Sequence, residues 1–346
     1  MNTENCHTKK TLDEMFSELE KASSIYQPSK FWQDLNKIHI EQLSSKGLDN
    51  FKRSVNLRYF NWNTLGIIRH QLRPTFAELF RGNFHPLFRS KFINRKNKVR
   101  GLKNFNFFSA AIYKIYVAFL FDYVRRGDKL GVLDKIEEPT IGNPFIIKYK
   151  ERLISQDLCN SVLEFYSIVE SGDSLPSRIA EIGAGYGRLA YIFLKTLPES
   201  SYCVIDIPPA LYIAQEYLSK IFPKDKIFFF RPFKSFEEIK NEFESARIRF
   251  LMPHQIEYLP ERSFDAVASI SSLHEMDREQ IKNYIYQVER LIPKYFYTKQ
   301  WRKSRVKDNN FIKEDEYPIP ENWRVVYQRR HPIQRMFFEA LYRINK

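Results

Sequence analysis

A short apolar run that ends in three closely spaced glycines limits this chain more than any other feature. The run is IAEIGAGYGRLA, residues 179–190, with Gly183, Gly185 and Gly187 at alternate positions. Strand, glycine turn and helix in that order let a backbone bend tightly and touch a ligand closely, because side chains are missing where contact occurs. The layout suits a nucleotide-like ligand. Dinucleotide binders space their glycines GxGxxG and seat a pyrophosphate on the helix N-terminus. Here the spacing is GxGxG, and Arg188 stands at the dinucleotide position.

From residue 178 onward, short apolar runs alternate with amphipathic stretches. The pattern predicts strands at 178–182, 202–206, 226–230, 248–252, 264–271 and 295–300, and helices at 188–197, 210–222 and 277–292. Alternation of this kind predicts a mainly parallel sheet with helices on both faces. Such sheets bind ligands at the carboxyl ends of their strands, where strand order reverses. Residues 11–125 read as mainly helical, and Thr11 with Glu14 has capping-box spacing. A turn-rich stretch, EEPTIGNPF (137–145), precedes SQDLCNSVLEFYSIVE (155–170). The latter predicts an amphipathic helix with Leu158, Val162, Phe165 and Ile168 on one face and Ser155 as its N-cap.

Charge divides the chain in two. The net charge is +14, and residues 1–150 hold 26 Lys/Arg against 14 Asp/Glu, whereas 151–346 hold 29 against 27. We therefore expect a basic, aromatic-rich helical region over 1–150 and a ligand-binding α/β domain over 151–346. The excess peaks at 81–103, with Arg81, Arg89, Lys91, Arg95, Lys96, Lys98, Arg100 and Lys103 and no acid. Phe84, Phe88, Phe92, Phe105, Phe107 and Phe108 lie within this stretch or just after it. Such a mixture suits a phosphate-bearing sugar, an anionic glycan, a single nucleic-acid strand or an anionic lipid surface. No nucleic-acid-binding signature accompanies it. Three scattered cysteines give neither a disulfide framework nor a zinc motif, which predicts a cytoplasmic setting. The first residues have no apolar stretch, so no signal peptide is expected. The longest apolar run, 107–124, contains Lys114 and Asp122 and is short for a bilayer, so it predicts a buried helix.

EIGAGYG (181–187) resembles motif I of class I S-adenosylmethionine-dependent methyltransferases. The resemblance implies a Rossmann-like class I methyltransferase fold: an α/β protein with a mainly parallel seven-stranded sheet, preceded here by a mostly helical N-terminal region. It implies S-adenosylmethionine as cofactor, with Glu181, Gly183, Ala184, Gly185, Tyr186 and Gly187 against its amino-acid and ribose portions. It calls for an acid after the second strand of the fold to read the ribose hydroxyls. Asp206, followed by Ile207, stands there, 23 residues after Gly183. A carboxylate suits that task because it accepts from two neighbouring hydroxyls. The turn at 252–260 corresponds to the adenine side, with Gln255 and Ile256, and SISSLHEMD to the methyl and acceptor side, with Ser271, His274 and Glu275. DIPPALY (206–212) lies after the second strand rather than the fourth, so its prolines set up a helix start rather than an amino-methylation signature.

The set EEPTIGNP, LISQDLCNSVLEF, IAEIGAGYGRLA, VIDIPPAL, SISSLHEM and YFYTKQW is similar to the sugar O-methyltransferase family of bacterial surface-polysaccharide gene clusters, over about 137–301. That resemblance adds Gln156 and Asp157 near the cofactor and implies a sugar, lipid-linked glycan or nucleotide-sugar acceptor. Methyl transfer to oxygen needs the hydroxyl held in line with the methyl donor and a base for its proton. His274 and Glu275 are the expected pair. Adjacent residues of a strand face opposite ways, which would make one of the two structural. Asp265, Glu275 and Asp277 do not converge as metal ligands would, so no metal is expected. The rival readings are an RNA or protein methyltransferase using the basic segment, and a non-catalytic binding subunit of the same fold.

Overall fold

Parallel strands covered on both faces have to be apolar nearly throughout, and the strands around the glycine loop are. The computed structural model describes residues 3–52, 68–80, 107–170, 173–305 and 311–344. It divides into two units, one of Met1–Leu48, Phe165–Arg330 and Met336–Lys346, the other of Asp49–Glu164 and His331–Arg335. The division differs from a single cut at residue 150, because the first 48 residues group with the sheet. They form α1 (Thr3–Lys21) and α2 (Lys30–Lys46). Helix α1 begins before Thr11, so Thr11 lies inside it rather than at its N-cap.

The second unit contains α3 (Arg73–Leu79), α4 (Phe107–Arg126), the short α5 (Val132–Lys135) and a hairpin of β1 (Ile147–Tyr149) and β2 (Arg152–Ile154). Helix α4 is the long apolar run, and it buries Tyr116, Val117, Leu120 and Phe121 completely. No described helix is long and apolar enough to cross a membrane. Lys52 is 1% exposed, its ammonium 2.6 Å from Glu138, which also accepts from Ser155 Oγ at 2.6 Å. The same Ser155 Oγ accepts the Leu158 N–H, the expected cap of α6 (Gln156–Val169).

The first unit is built on β3 (Arg178–Ile182), β4 (Ser201–Ile205), β5 (Ile227–Phe228), β6 (Ile248–Leu251), β7 (Ala266–Ile270) and β8 (Tyr295–Trp301). Between and after them come α7 (Arg188–Thr196), α8 (Ala210–Ile221), α9 (Lys240–Ser245) and α10 (Arg278–Leu291). A short hairpin of β9 (Lys303–Arg305) and β10 (Phe311–Lys313) precedes β11 (Arg324–Arg330) and β12 (Phe337–Arg343). The main sheet runs β11-β12-β8-β7-β3-β4-β6-β5. β5 to β8 with β3 and β4 are parallel, and β12 enters antiparallel between β8 and β11. The sheet is the doubly wound one expected, with eight strands rather than seven; at 226–230 only the two-residue β5 forms, and β11 and β12 are strands that the apolar pattern did not mark. Strand order reverses at β3, whose neighbours are β4 and β7, so the β3 and β7 carboxyl ends mark the ligand crevice.

Side chains and carbonyls of the N-terminal segment pack into this unit. Tyr26 is buried, donates to Glu257 Oε1 at 2.7 Å and meets Tyr284 edge-on at 5.9 Å. Gln280 Nε2 donates to the carbonyls of Ile25 and Gln27 at 3.2 and 2.8 Å.

Candidate active site

All three loop glycines take the left-handed backbone, with φ of 75°, 59° and 82° at Gly183, Gly185 and Gly187. Only glycine enters that region without strain. Their surroundings separate their roles. A Cβ on Gly183 would lie 1.9 Å from Ser272 Oγ and 2.3 Å from its Cβ, and one on Gly187 would lie 2.9 Å from Leu218 Cδ1. These two let the loop press on the β7 end and on α8. A Cβ on Gly185 would meet nothing within 4 Å, so this glycine is the one that offers bare backbone. Gly183→Ala should therefore destabilise by about 3 kcal/mol, from overpacking and backbone strain together. Urea unfolding checks this, and Ser272→Gly in the same chain should return about half; no rescue would mean that the clash is not with Ser272.

The acid and the loop are one device. Asp206 Oδ2 accepts the Gly185 N–H at 2.7 Å and Oδ1 accepts the Ile207 N–H at 2.7 Å. Removal from water raises the Asp206 carboxyl to about 7; the two N–H bonds oppose the rise and the charge of Glu275 adds to it. Each oxygen keeps a further lone pair for a hydroxyl. Beyond Asp206, Pro209 precedes α8 as its N-cap residue, as the prolines implied.

The other expected cofactor residues divide. Ala184 is buried in the loop, and Tyr186 meets Tyr217 edge-on at 5.4 Å. Glu181 is 3% exposed and accepts from Tyr202 OH at 2.8 Å, below the loop rather than in it. Gln255 is 1% exposed, its Oε1 accepting from Met252 N–H and its Nε2 donating to the Arg231 carbonyl, both at 2.9 Å. That amide shapes the turn 252–258, and Ile256 is fully buried beneath it. Arg290 holds the same turn from α10, donating to the Leu259 and Ile256 carbonyls at 2.7 and 2.6 Å. Ser271 leaves β7 at φ 55° and its N–H bonds the Lys299 carbonyl at 2.8 Å.

His274 and Glu275 sit in a 3-10 turn, Leu273–Glu275, and not in a strand. The alternation that would have separated them does not apply, and His274 Nε2 lies 3.5 Å from Glu275 Oε1. His274 is 2% exposed and stacks on Trp301 at 4.9 Å. Gln300 sets its tautomer. Its Nε2 donates to the Ser269 carbonyl and Thr298 Oγ1 at 3.0 and 3.1 Å, which turns its Oε1 toward His274 Nδ1 at 2.9 Å. An amide oxygen only accepts, so the network assigns the proton to Nδ1 and the lone pair to Nε2. The Trp301 N–H approaches Nδ1 from 3.4 Å, a longer contact that the shorter one overrides. Nε2 has no hydrogen-bond partner among the described residues. Glu275 Oε2 accepts the Trp32 indole N–H from α2 at 2.9 Å.

Gln156 and Asp157 belong to the second unit, where Gln156 Nε2 donates to Gln71 Oε1 at 3.3 Å. The basic segment 81–103 lies outside the described residues. Asp265 accepts from Ser177 and Arg178, and Asp277 caps α10.

No sequence-family profile matches the chain, and no curated protein does. Solved structures do. A SAM-dependent methyltransferase from Aquifex aeolicus shares 13% identity over 54% of this chain and 89% of its own, at a TM-score of 0.34. The PH0226 protein from Pyrococcus horikoshii OT3 shares 10% over 54% and 91%, at 0.36. Magnesium protoporphyrin IX methyltransferase from Synechocystis PCC 6803, solved with bound SAM, shares 10% over 54% and 79%, at 0.39. Similarity this distant leaves the chemistry of the present chain to be read from its own residues.

Proposed function

We propose that the chain is an S-adenosylmethionine-dependent O-methyltransferase whose acceptor is a sugar hydroxyl. The observation that carries the reading is the bond from the Gly185 N–H to Asp206, which joins a left-handed glycine loop to an acid at adjacent strand ends. The residues fit the cofactor: Gly185 leaves its outer side bare, and the Asp206 oxygens retain lone pairs for two vicinal hydroxyls. When bound, S-adenosylmethionine supplies an electrophilic methyl carbon. His274 Nε2, held unprotonated by Gln300, takes the proton of an acceptor hydroxyl. The 3.5 Å gap to Glu275 Oε1 sets two acceptors face to face, an arrangement relieved once Nε2 carries that proton. The sugar as acceptor rests on the sequence resemblance over about 137–301.

Calorimetry with S-adenosylhomocysteine tests the cofactor, and transfer of a tritiated methyl group to mono- and oligosaccharides tests the acceptor. Binding with transfer to saccharides is the expected result. Transfer to RNA or protein alone would replace the acceptor, and absent S-adenosylhomocysteine binding would remove the reading altogether.

A further inference from the structure

Helix α2 turns an unusual face toward the strand ends. Trp32, Asn36 and His39, spaced four and three residues apart, share one side of it. Trp32 donates to Glu275, and Asn36 Nδ2 donates to the Pro208 carbonyl at 3.1 Å. The helix therefore reaches both the β7 end and the residues just after Asp206. His39 meets Trp32 edge-on at 6.3 Å. Asn36 and His39 are each 5% exposed, yet Asn36 Oδ1 and His39 Nδ1 have no hydrogen-bond partner among the described residues.

A helix docked for stability alone would bury apolar groups there, because an unpaired buried polar atom costs about 1–3 kcal/mol. Two such atoms on one face, on a helix that also holds Glu275 through Trp32, mark a polar surface without a polar complement among the described residues. Glu275, which α2 engages through Trp32, acts on Asp206 as one negative charge on another, and such a pair disfavours an anion. Burial lowers His39 to about 4, so its ring is neutral near pH 7. Neutral amide and imidazole atoms suit uncharged hydroxyls.

We propose that Asn36 and His39 of α2 bind the acceptor and select an uncharged, polyhydroxylated one, with Trp32 positioning Glu275. This rests on the methyltransferase reading and narrows it: the anionic acceptor suggested by the basic segment is disfavoured at this site. The acceptor hydroxyls complete Asn36 Oδ1 and His39 Nδ1.

The test uses the full chain saturated with S-adenosylhomocysteine and measures binding of uncharged methyl hexosides, hexuronates and hexose 1-phosphates. We expect an uncharged hexoside to bind best, and His39→Phe and Asn36→Leu each to weaken it at least tenfold. Their S-adenosylhomocysteine affinity should stay within twofold. The melting temperature of His39→Phe should hold or rise, as a purely structural histidine would not allow. Preference for the charged sugars, no hexoside binding, or equal affinity in both variants overturns the proposal. Loss of S-adenosylhomocysteine binding by the unmodified chain would instead strike the reading beneath it.

Discussion

His274→Ala should leave S-adenosylhomocysteine affinity within a few-fold and lower methyl transfer about 10²–10⁴-fold, the span that a positioned base contributes. The expectation follows from geometry: Nε2 is the atom that Gln300 leaves with a lone pair, and no described group satisfies it. Gln300→Leu extends the test. Leucine cannot accept from Nδ1, so both tautomers become populated and the fraction with a basic Nε2 falls. Turnover should drop about tenfold, a smaller effect than removing the ring, on the order of the cost of one lost hydrogen bond. Single-turnover transfer of labelled methyl, with calorimetry in parallel, separates base from fold. Wild-type turnover in His274→Ala would move the base elsewhere.

Asp206→Ala should weaken S-adenosylhomocysteine about 10²-fold, roughly 2.7 kcal/mol. It removes both the hydroxyl acceptors and the anchor of the Gly185 N–H. The same carboxyl gives a pH signature. With its value raised to about 7, the wild-type affinity should climb as pH rises toward 7 and then level, because the ionised form accepts hydroxyl hydrogens more strongly. Stability of the unliganded chain moves the other way. A carboxyl raised in the folded state contributes stability that is fully present below its ordinary value near 4 and lost as pH rises through about 7. Glu275→Gln removes the repulsion and should shift the affinity midpoint to lower pH. A flat affinity between pH 5.5 and 8.5 would remove Asp206 from the binding step.

Residues 178–206 were legible because their signals are local. A buried strand, glycines at alternate positions and an acid at the next strand end are set by steric limits within a few residues. The His274 and Glu275 turn was legible as a place and not as a shape, since SSLHEM continues an apolar strand pattern and nothing in it announces a 3-10 turn. Gln255 and Glu181 have the right chemistry at the right sequence distance, but neighbours on other elements engage them. The part least legible was α2. His39 follows no motif, Trp32 reads as one more aromatic, and Glu275 lies 243 residues away from it. Only packing brings them together. Gln300 likewise looks like a polar residue near a strand end until its amide is seen turned by Ser269 and Thr298.

The position of β12 makes it the link between β8 and the edge of the sheet. Among the described residues β11 has no register with β8 of its own and pairs with β12, which lies beside β8. Without residues 337–343, β8 would stand at the rim with open backbone groups, beside β7, which leads into the His274–Glu275 turn. Gln300 and Trp301, which hold His274, are on that rim strand. In chain order the glycine loop and its acid come before the strand that covers the β8 flank of the His274 turn. Uncovered, β8 would be an unprotected edge of the kind that invites pairing with another chain.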